Sequence, residues 1–215
     1  MDRNSNIKKE YTFKYILVGD GFVGKTKISY RFRTDKFEEG YKVTLNVEFA
    51  KHTIQVDDTQ VNIELWDTSG DENFRAIQKN YFQNSACALV VYDITKKKTF
   101  DNSKDWIEEC RKYGDNTETL VLVGNKSDLE QEREVPKEEA EEFAKNNNML
   151  FYETSALTGE NIQKLFQDST KIILDNIEKN VYDLTDEGCG IKVIKLVVQI
   201  PPDKDNNCHS SCSIC

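Results

Sequence analysis

The chain lacks any run approaching the ~20 apolar residues that would span a bilayer. It also lacks a basic excess, since its 215 residues carry a net charge of −9. Binding to nucleic acid through its phosphates calls for a positive face, so no nucleic-acid partner is expected. The opening stretch MDRNSNIKKEYTFKY lacks the apolar core of a signal peptide, and a cytosolic origin with reduced cysteines is expected. No internal repeat is visible. What is present is a composition of 38% apolar and 31% charged residues, enough for one core inside a heavily solvated surface. The six cysteines are unevenly spread. Cys87 and Cys110 lie in apolar or helical segments and are expected as buried thiols. Cys189 stands in a GCG context, while Cys208, Cys212 and Cys215 crowd the last eight residues.

From about residue 12 to 178, short apolar runs alternate with longer amphipathic ones. FKYILVG reads as a buried strand and GKTKISYRFRTDKF as a helix. VEFAKHTIQV and TQVNIELWD alternate in polarity and are joined by Asp57-Asp58, which predicts a hairpin. ACALVVYDIT and TLVLVGN are continuously apolar, as strands buried on both faces are. FDNSKDWIEECRKYG and PKEEAEEFAKNN read as helices, the second with proline in its first turn. MLFYETSA predicts another strand and NIQKLFQDSTKIILDNIEK a last helix. Six strands and their helices make an α/β domain: a mostly parallel six-stranded sheet with helices on both faces. Residues 1–11 are read as an N-terminal extension and 179–215 as a tail outside the domain. Within that tail IKVIKLVVQI (191–200) is open to two readings, an added edge strand or a segment that docks to a partner.

The chemistry begins at 19–26. GDGFVGKT fits G-x-x-x-x-G-K-[ST] between a strand and a helix, the context that a phosphate-binding loop requires. Its glycines let backbone N–H groups converge on phosphate oxygens, and the helix N-terminus adds positive potential. The competing reading is an ordinary glycine turn. Expected contacts are Gly21, Phe22, Val23, Gly24, Lys25, Thr26 and Lys27, with Lys25 reaching the terminal phosphates and the Thr26 hydroxyl binding magnesium. Asn125, Lys126 and Asp128 lie just past a buried strand in LVGNKSDL. A carboxylate there can accept hydrogens from both N1 and the 2-amino group of guanine, a pair that adenine lacks. Ser155, Ala156 and Leu157, in ETSAL, supply loop N–H groups for the base oxygen. In this order the segments point to GTP or GDP with Mg2+.

With these motifs in place, residues 12–178 resemble the Ras superfamily of small GTPases and most closely its Rab branch. TLNVEF, WDTSGDENFR and VYDIT carry the branch preference. The resemblance implies a P-loop NTPase G domain that hydrolyses GTP. It implies that Thr44 reaches magnesium and the γ-phosphate only when GTP is bound, that Phe37 packs on the guanine edge, and that Asp67 holds magnesium through water. The resemblance further implies that the Gly70 N–H contacts the γ-phosphate and that the metal set is Thr26, Thr44 and Asp67. The catalytic set is Lys25, Thr44, Gly70 and Asp71. Phe49, Trp66 and Tyr81 match an aromatic triad presented to effectors, with core packing as the alternative. Exchange factors, activating proteins, effectors, an escort protein and a GDP-dissociation inhibitor are the implied partners. The cytoplasmic face of endomembranes, in exchange with cytosol, is the implied location.

Three departures from that pattern matter. Asp71 stands where the family usually has glutamine. Shorter and acceptor-only, it predicts intrinsic hydrolysis slower by ~10-fold or more, a loss of about 1–3 kcal/mol. Phe22 stands where glycine is usual, and Ser69 where alanine is. At the C-terminus, Cys212-Ser-Ile-Cys215 matches a prenylation signal, while Cys208, His209, Cys212 and Cys215 could in principle bind zinc at cramped spacing. One route modifies Cys212 alone, with an acyl chain on Cys208, and the other prenylates both Cys212 and Cys215. Two lipids anchor far better than one, and IKVIKLVVQI would then offer the escort protein its grip. Two competing functions are a GTP-binding scaffold that hydrolyses negligibly without an activator, and a nuclear-transport GTPase. The second shares the GDG opening but has no use for a cysteine ending.

Overall fold

A computed structural model describes residues 7–40, 44, 47–70, 80–114, 119–185 and 187–197. Asp71, Cys212 and Cys215 lie outside the described residues, as do Cys208 and His209. Strand β1 (Ile7–Val18) leads through the 19–24 loop into helix α1 (Lys25–Thr34). A hairpin of β2 (Val47–Val56) and β3 (Thr59–Thr68) follows. Its register closes on Val56 opposite Thr59, with Asp57 at φ 48°, so the Asp57-Asp58 turn is where the sequence puts it. Strand β4 (Cys87–Asp93) is buried along its whole length, as a continuously apolar run in a two-faced sheet should be.

The helix expected over 100–114 is two pieces: α2 (Lys97–Asp101) and α3 (Ser103–Tyr113), which meet at Asn102. Then come β5 (Thr119–Asn125), α4 (Lys137–Asn146) after Pro136, β6 (Leu150–Thr154), α5 (Ile162–Glu178) and β7 (Ile191–Val197). Helices α1 and α5 cover one face, where Phe32 stacks on Phe166 at 3.7 Å. The Tyr15 hydroxyl reaches Ser169 and Thr170 of α5 at 3.0 and 2.9 Å. Phe100, Trp106, Cys110, Ala140 and Ala144, from α2, α3 and α4, pack with Ile16, Val90, Tyr92 and Leu122 on the other face.

The sheet runs β2-β3-β1-β4-β5-β6. Its four inner pairings are parallel, and β2 is antiparallel to β3. It has seven strands, one more than expected. The seventh, β7, pairs antiparallel with β1 from Ile7↔Val197 to Phe13↔Ile191. The reason lies in β1, which starts at Ile7 rather than near residue 12. Strand β4 reaches β1 only at Tyr15–Val18, so the first half of β1 would otherwise leave a row of backbone donors and acceptors unpaired. Of the two readings of 191–197, the added strand is therefore the one observed. Lys14 makes the handover: its N–H donates to Gly190 and its carbonyl accepts from Ala86. Gly190 has φ 68°, and a Cβ there would sit 2.5 Å from the Ala86 nitrogen. No side chain fits that crossing. Tyr182, Cys189 and Ile191 bury themselves in the same core, so part of the segment after Lys179 belongs to the domain.

Candidate functional site

Between β3 and β4 the strand order reverses about β1, and ligands of open α/β sheets bind at such a point, beyond the carboxyl ends of the strands. A cavity of about 1140 Å³ opens there. The sequence-predicted residues Gly21, Phe22, Gly24, Lys25, Thr26, Lys27, Phe37, Thr44, Gly70, Asn125, Lys126, Asp128, Ala156 and Leu157 all line it. Two others sit behind the wall. Val23 is fully buried, and its carbonyl accepts from Asn125 Nδ2 at 2.8 Å. Ser155 is also fully buried, and its hydroxyl donates to Asp128 Oδ1 at 2.5 Å.

On one side of the cavity stand three oxygen donors. The Thr26 hydroxyl donates to Asp67 Oδ2 at 2.5 Å and lies 2.9 Å from the hydroxyl of Thr44. Residues from α1, the stretch before β2 and the end of β3 meet at this point. Asp67 is 1% exposed, and its Oδ1 has no hydrogen-bond partner among the described residues. Burial pushes its carboxyl up to about 6, against the pull of the Thr26 hydroxyl and Lys25. Hard oxygen donors with one buried carboxylate oxygen to spare fit magnesium. Lys25 is 5% exposed, and its ammonium donates to the carbonyls of Gly19 and Asp20, both at 2.8 Å. Burial lowers its pKa to about 8, while Asp67 and Asp20 oppose the fall. Two carbonyls hold an ammonium less strongly than phosphate oxygens would. Gly70 closes this side, since a Cβ there would lie 2.3 Å from the Gly21 nitrogen.

On the other side Asn125 ties three loops together. Besides its bond to Val23, its Oδ1 accepts from the Thr154 hydroxyl and the Ala156 N–H, both at 3.3 Å. Lys126, at φ 71°, reaches Asp93 Oδ2 at 2.5 Å. Asp93 is fully buried, and its Oδ1 accepts from the N–H and hydroxyl of Thr95. Phe37 is held from α1: the Lys27 ammonium lies 5.5 Å from its ring and donates to the Glu38 carbonyl at 2.7 Å. Leu157 is half exposed, and Phe22, at φ 67°, is the most exposed large apolar side chain described.

Phe49, Trp66 and Tyr81 form a contiguous row, with ring centroids 5.1 and 5.6 Å apart. Phe49 is 45% exposed, while Trp66 and Tyr81 are partly buried. The row combines both readings: its rings pack on one another and its edge faces solvent.

Sequence reasoning missed Asp20, Asn102 and Trp106, which line the same cavity. Asn102 and Trp106 stand four apart, the spacing that shares a helix face, and Asp20 sits inside the loop motif itself. That spacing was the available signal.

A family model, Ras family, matches residues 14–175. The Ras-related protein Rab-2B of Dictyostelium discoideum is 42% identical over 187 residues, covering 87% of this chain and 92% of that protein. A glycine-and-lysine loop at a strand end, a buried Asp beside two threonine hydroxyls and an Asn that staples three loops are what such a match requires of the fold. With both kinds of observation in hand, the chain belongs to the Ras family and, within it, to the Rab small GTPases, which bind guanine nucleotide with magnesium and hydrolyse GTP.

Proposed function

We propose that the protein is a membrane-anchored GTP/GDP switch regulating vesicle trafficking, with slow intrinsic hydrolysis because Asp71 replaces the usual glutamine. The observation that carries the switch is the cluster of Thr26, Thr44 and Asp67, with a buried carboxylate oxygen that has no partner among the described residues. Thr44 belongs to a stretch separate from the loop that holds Thr26. A γ-phosphate that engages Thr44 and the Gly70 N–H therefore orders two segments, and its loss releases both. Magnesium, held by Thr26, Thr44 and Asp67, would supply positive charge to the phosphate oxygens. Lys25 would exchange its two carbonyl acceptors for those oxygens. Asp128, steadied by the Ser155 hydroxyl, would accept from guanine, while Lys126 and Phe37 flank the base.

Hydrolysis needs a water aligned with the γ-phosphate. A glutamine can both accept from that water and donate to the transition state; an ionised Asp71 only accepts and adds negative charge. The measurement is single-turnover GTP hydrolysis beside Asp71→Gln. The variant is expected to be faster by about 10-fold. Equal rates would remove the braking role. A native rate indistinguishable from solvent hydrolysis would favour the second reading, a GTP-bound scaffold that waits for an activator.

The Phe49, Trp66 and Tyr81 row is the effector face in this reading, since an exposed aromatic edge suits a partner surface. Exchange factor, activator, effectors, escort protein and GDP-dissociation inhibitor are the partners. Prenyl groups on Cys212 and Cys215 would hold the protein at the cytoplasmic face of endomembranes, with a soluble pool in cytosol. Among the described residues no helix is long and apolar enough to cross a membrane. An escort protein gripping 191–197 would first have to peel β7 from β1, which moves its grip to the residues beyond Val197.

A further inference from the structure

An aspartate on a phosphate-binding loop works against that loop, because its charge repels the ligand. Asp20 is such a residue, and it lines the cavity. Its side chain has a different engagement. Oδ2 accepts from Asn102 Nδ2 at 2.7 Å and Oδ1 accepts from Trp106 Nε1 at 2.9 Å. Both carboxylate oxygens are thus committed to the start of α3. Trp106 is a rigid anchor, 1% exposed and packed in the core beneath α3. Asn102 sits at the junction of α2 and α3, four residues before Trp106 on the same helix face.

The backbone of Asp20 does two further things. Its carbonyl accepts from the Lys25 ammonium at 2.8 Å. Its carbonyl carbon would lie 2.3 Å from a Cβ placed on Gly70, so the loop entering from β3 rests directly on it. One residue therefore joins the lysine meant for the terminal phosphates, the glycine meant for the γ-phosphate, and a helix of the opposite layer.

We propose that Asp20 is a positioning residue, clamped by Asn102 and Trp106, that sets the phosphate loop at the height where Lys25 and Gly70 can meet the nucleotide phosphates together. The assignment rests on the cavity being the GTP site. A role as clamp and a role through charge alone predict opposite signs. If charge decides, removing it tightens binding; if the clamp decides, removing it weakens binding.

The test is release of a fluorescent GDP analogue from the full chain loaded with magnesium. Asp20→Ala is expected to release it about 10-fold faster, the loss of charge-assisted hydrogen bonds. Trp106→Phe, which keeps an aromatic ring and loses the N–H, is expected to release it about 3-fold faster. The double variant should be no faster than Asp20→Ala alone, because both changes break one clamp. Asp20→Asn keeps the volume and sets an amide against one donor; it too should release faster, and it serves if the alanine variant does not fold. Guanosine, measured by competition, reaches only the base side and should bind all variants as it binds the native chain. Release at the native rate or slower from Asp20→Ala or Asp20→Asn overturns the assignment. So does full additivity with Trp106→Phe, or equal weakening of guanosine and GDP. A native chain that retains no guanine nucleotide refutes the site itself, a result distinct from all of these.

Discussion

The two ends of β1 obey different rules. Its carboxyl end runs into the 19–24 loop, where Lys25 is buried on two carbonyls and Asp67 keeps a buried oxygen with no partner among the described residues. Its amino end pairs with β7 along Ile7–Phe13 on one side and, from Glu10 onward, with β3 on the other. Both ends are paired on two sides, so what sets the first apart is the buried charge just beyond it. One strand thus carries ligand chemistry beyond one end and the β7 ladder at the other, and a ligand adds stability at the end where it binds.

That contrast can be broken from either side. The largest effect is expected from Lys25→Ala at the carboxyl end, which removes the cation meant for the phosphates. Affinity for GDP and GTP should fall on the order of 100-fold or more. The nucleotide-free chain should melt no lower than the native one, because a buried ammonium has gone. Nucleotide titration beside thermal unfolding checks both halves. A matching loss of stability would mean that the two ends are not separate.

At the amino end the expectation is reversed. Ile191 is 5% exposed and belongs to the main core. Ile191→Ala should cost about 2 kcal/mol, read as a shift of the urea midpoint, and leave nucleotide release unchanged. Faster release would show that β7 bears on the cavity through β1.

The smallest effect concerns His52 on β2, whose ring meets Phe32 edge-on at 4.7 Å. Burial, helped by the Arg33 charge, holds its imidazole below the usual 6.5. The unfolded chain then takes up the proton more readily, so the contribution is complete above about pH 6.5 and is lost as pH falls below it. His52→Gln should flatten the pH dependence of the urea midpoint slightly between pH 7.5 and 5.5. An unchanged slope would mean that other groups carry it.

Much of this was legible in the linear chain. Period-two and continuous apolar runs located six strands, because burial on one or both faces writes itself into side-chain polarity. Loop motifs at strand ends named most of the cavity wall, since few residue types can cradle phosphate or match guanine. The seventh strand was left as one of two readings. IKVIKLVVQI is aliphatic and rich in β-branched residues, yet such a run reports nothing about which edge will receive it, and the sequence pattern starts β1 too late to offer one. The joining of Asp20 to Asn102 and Trp106 was hidden for a related reason, since the four-residue spacing shows a shared helix face but not what it meets. Each is ordinary locally, and only the packing of α3 against the sheet brings an indole N–H to a loop carboxylate 86 residues away in sequence.

The amino-acid order by itself determined the layer architecture, the phosphate loop and the preference for guanine, because those depend on local period and on side-chain chemistry. The tertiary structure decided the destination of the segment after α5, the coupling of α3 to the loop and the convergence of Thr26, Thr44 and Asp67. Those depend on backbone edges and buried oxygens finding partners, and a partner distant in sequence leaves no mark on its neighbours.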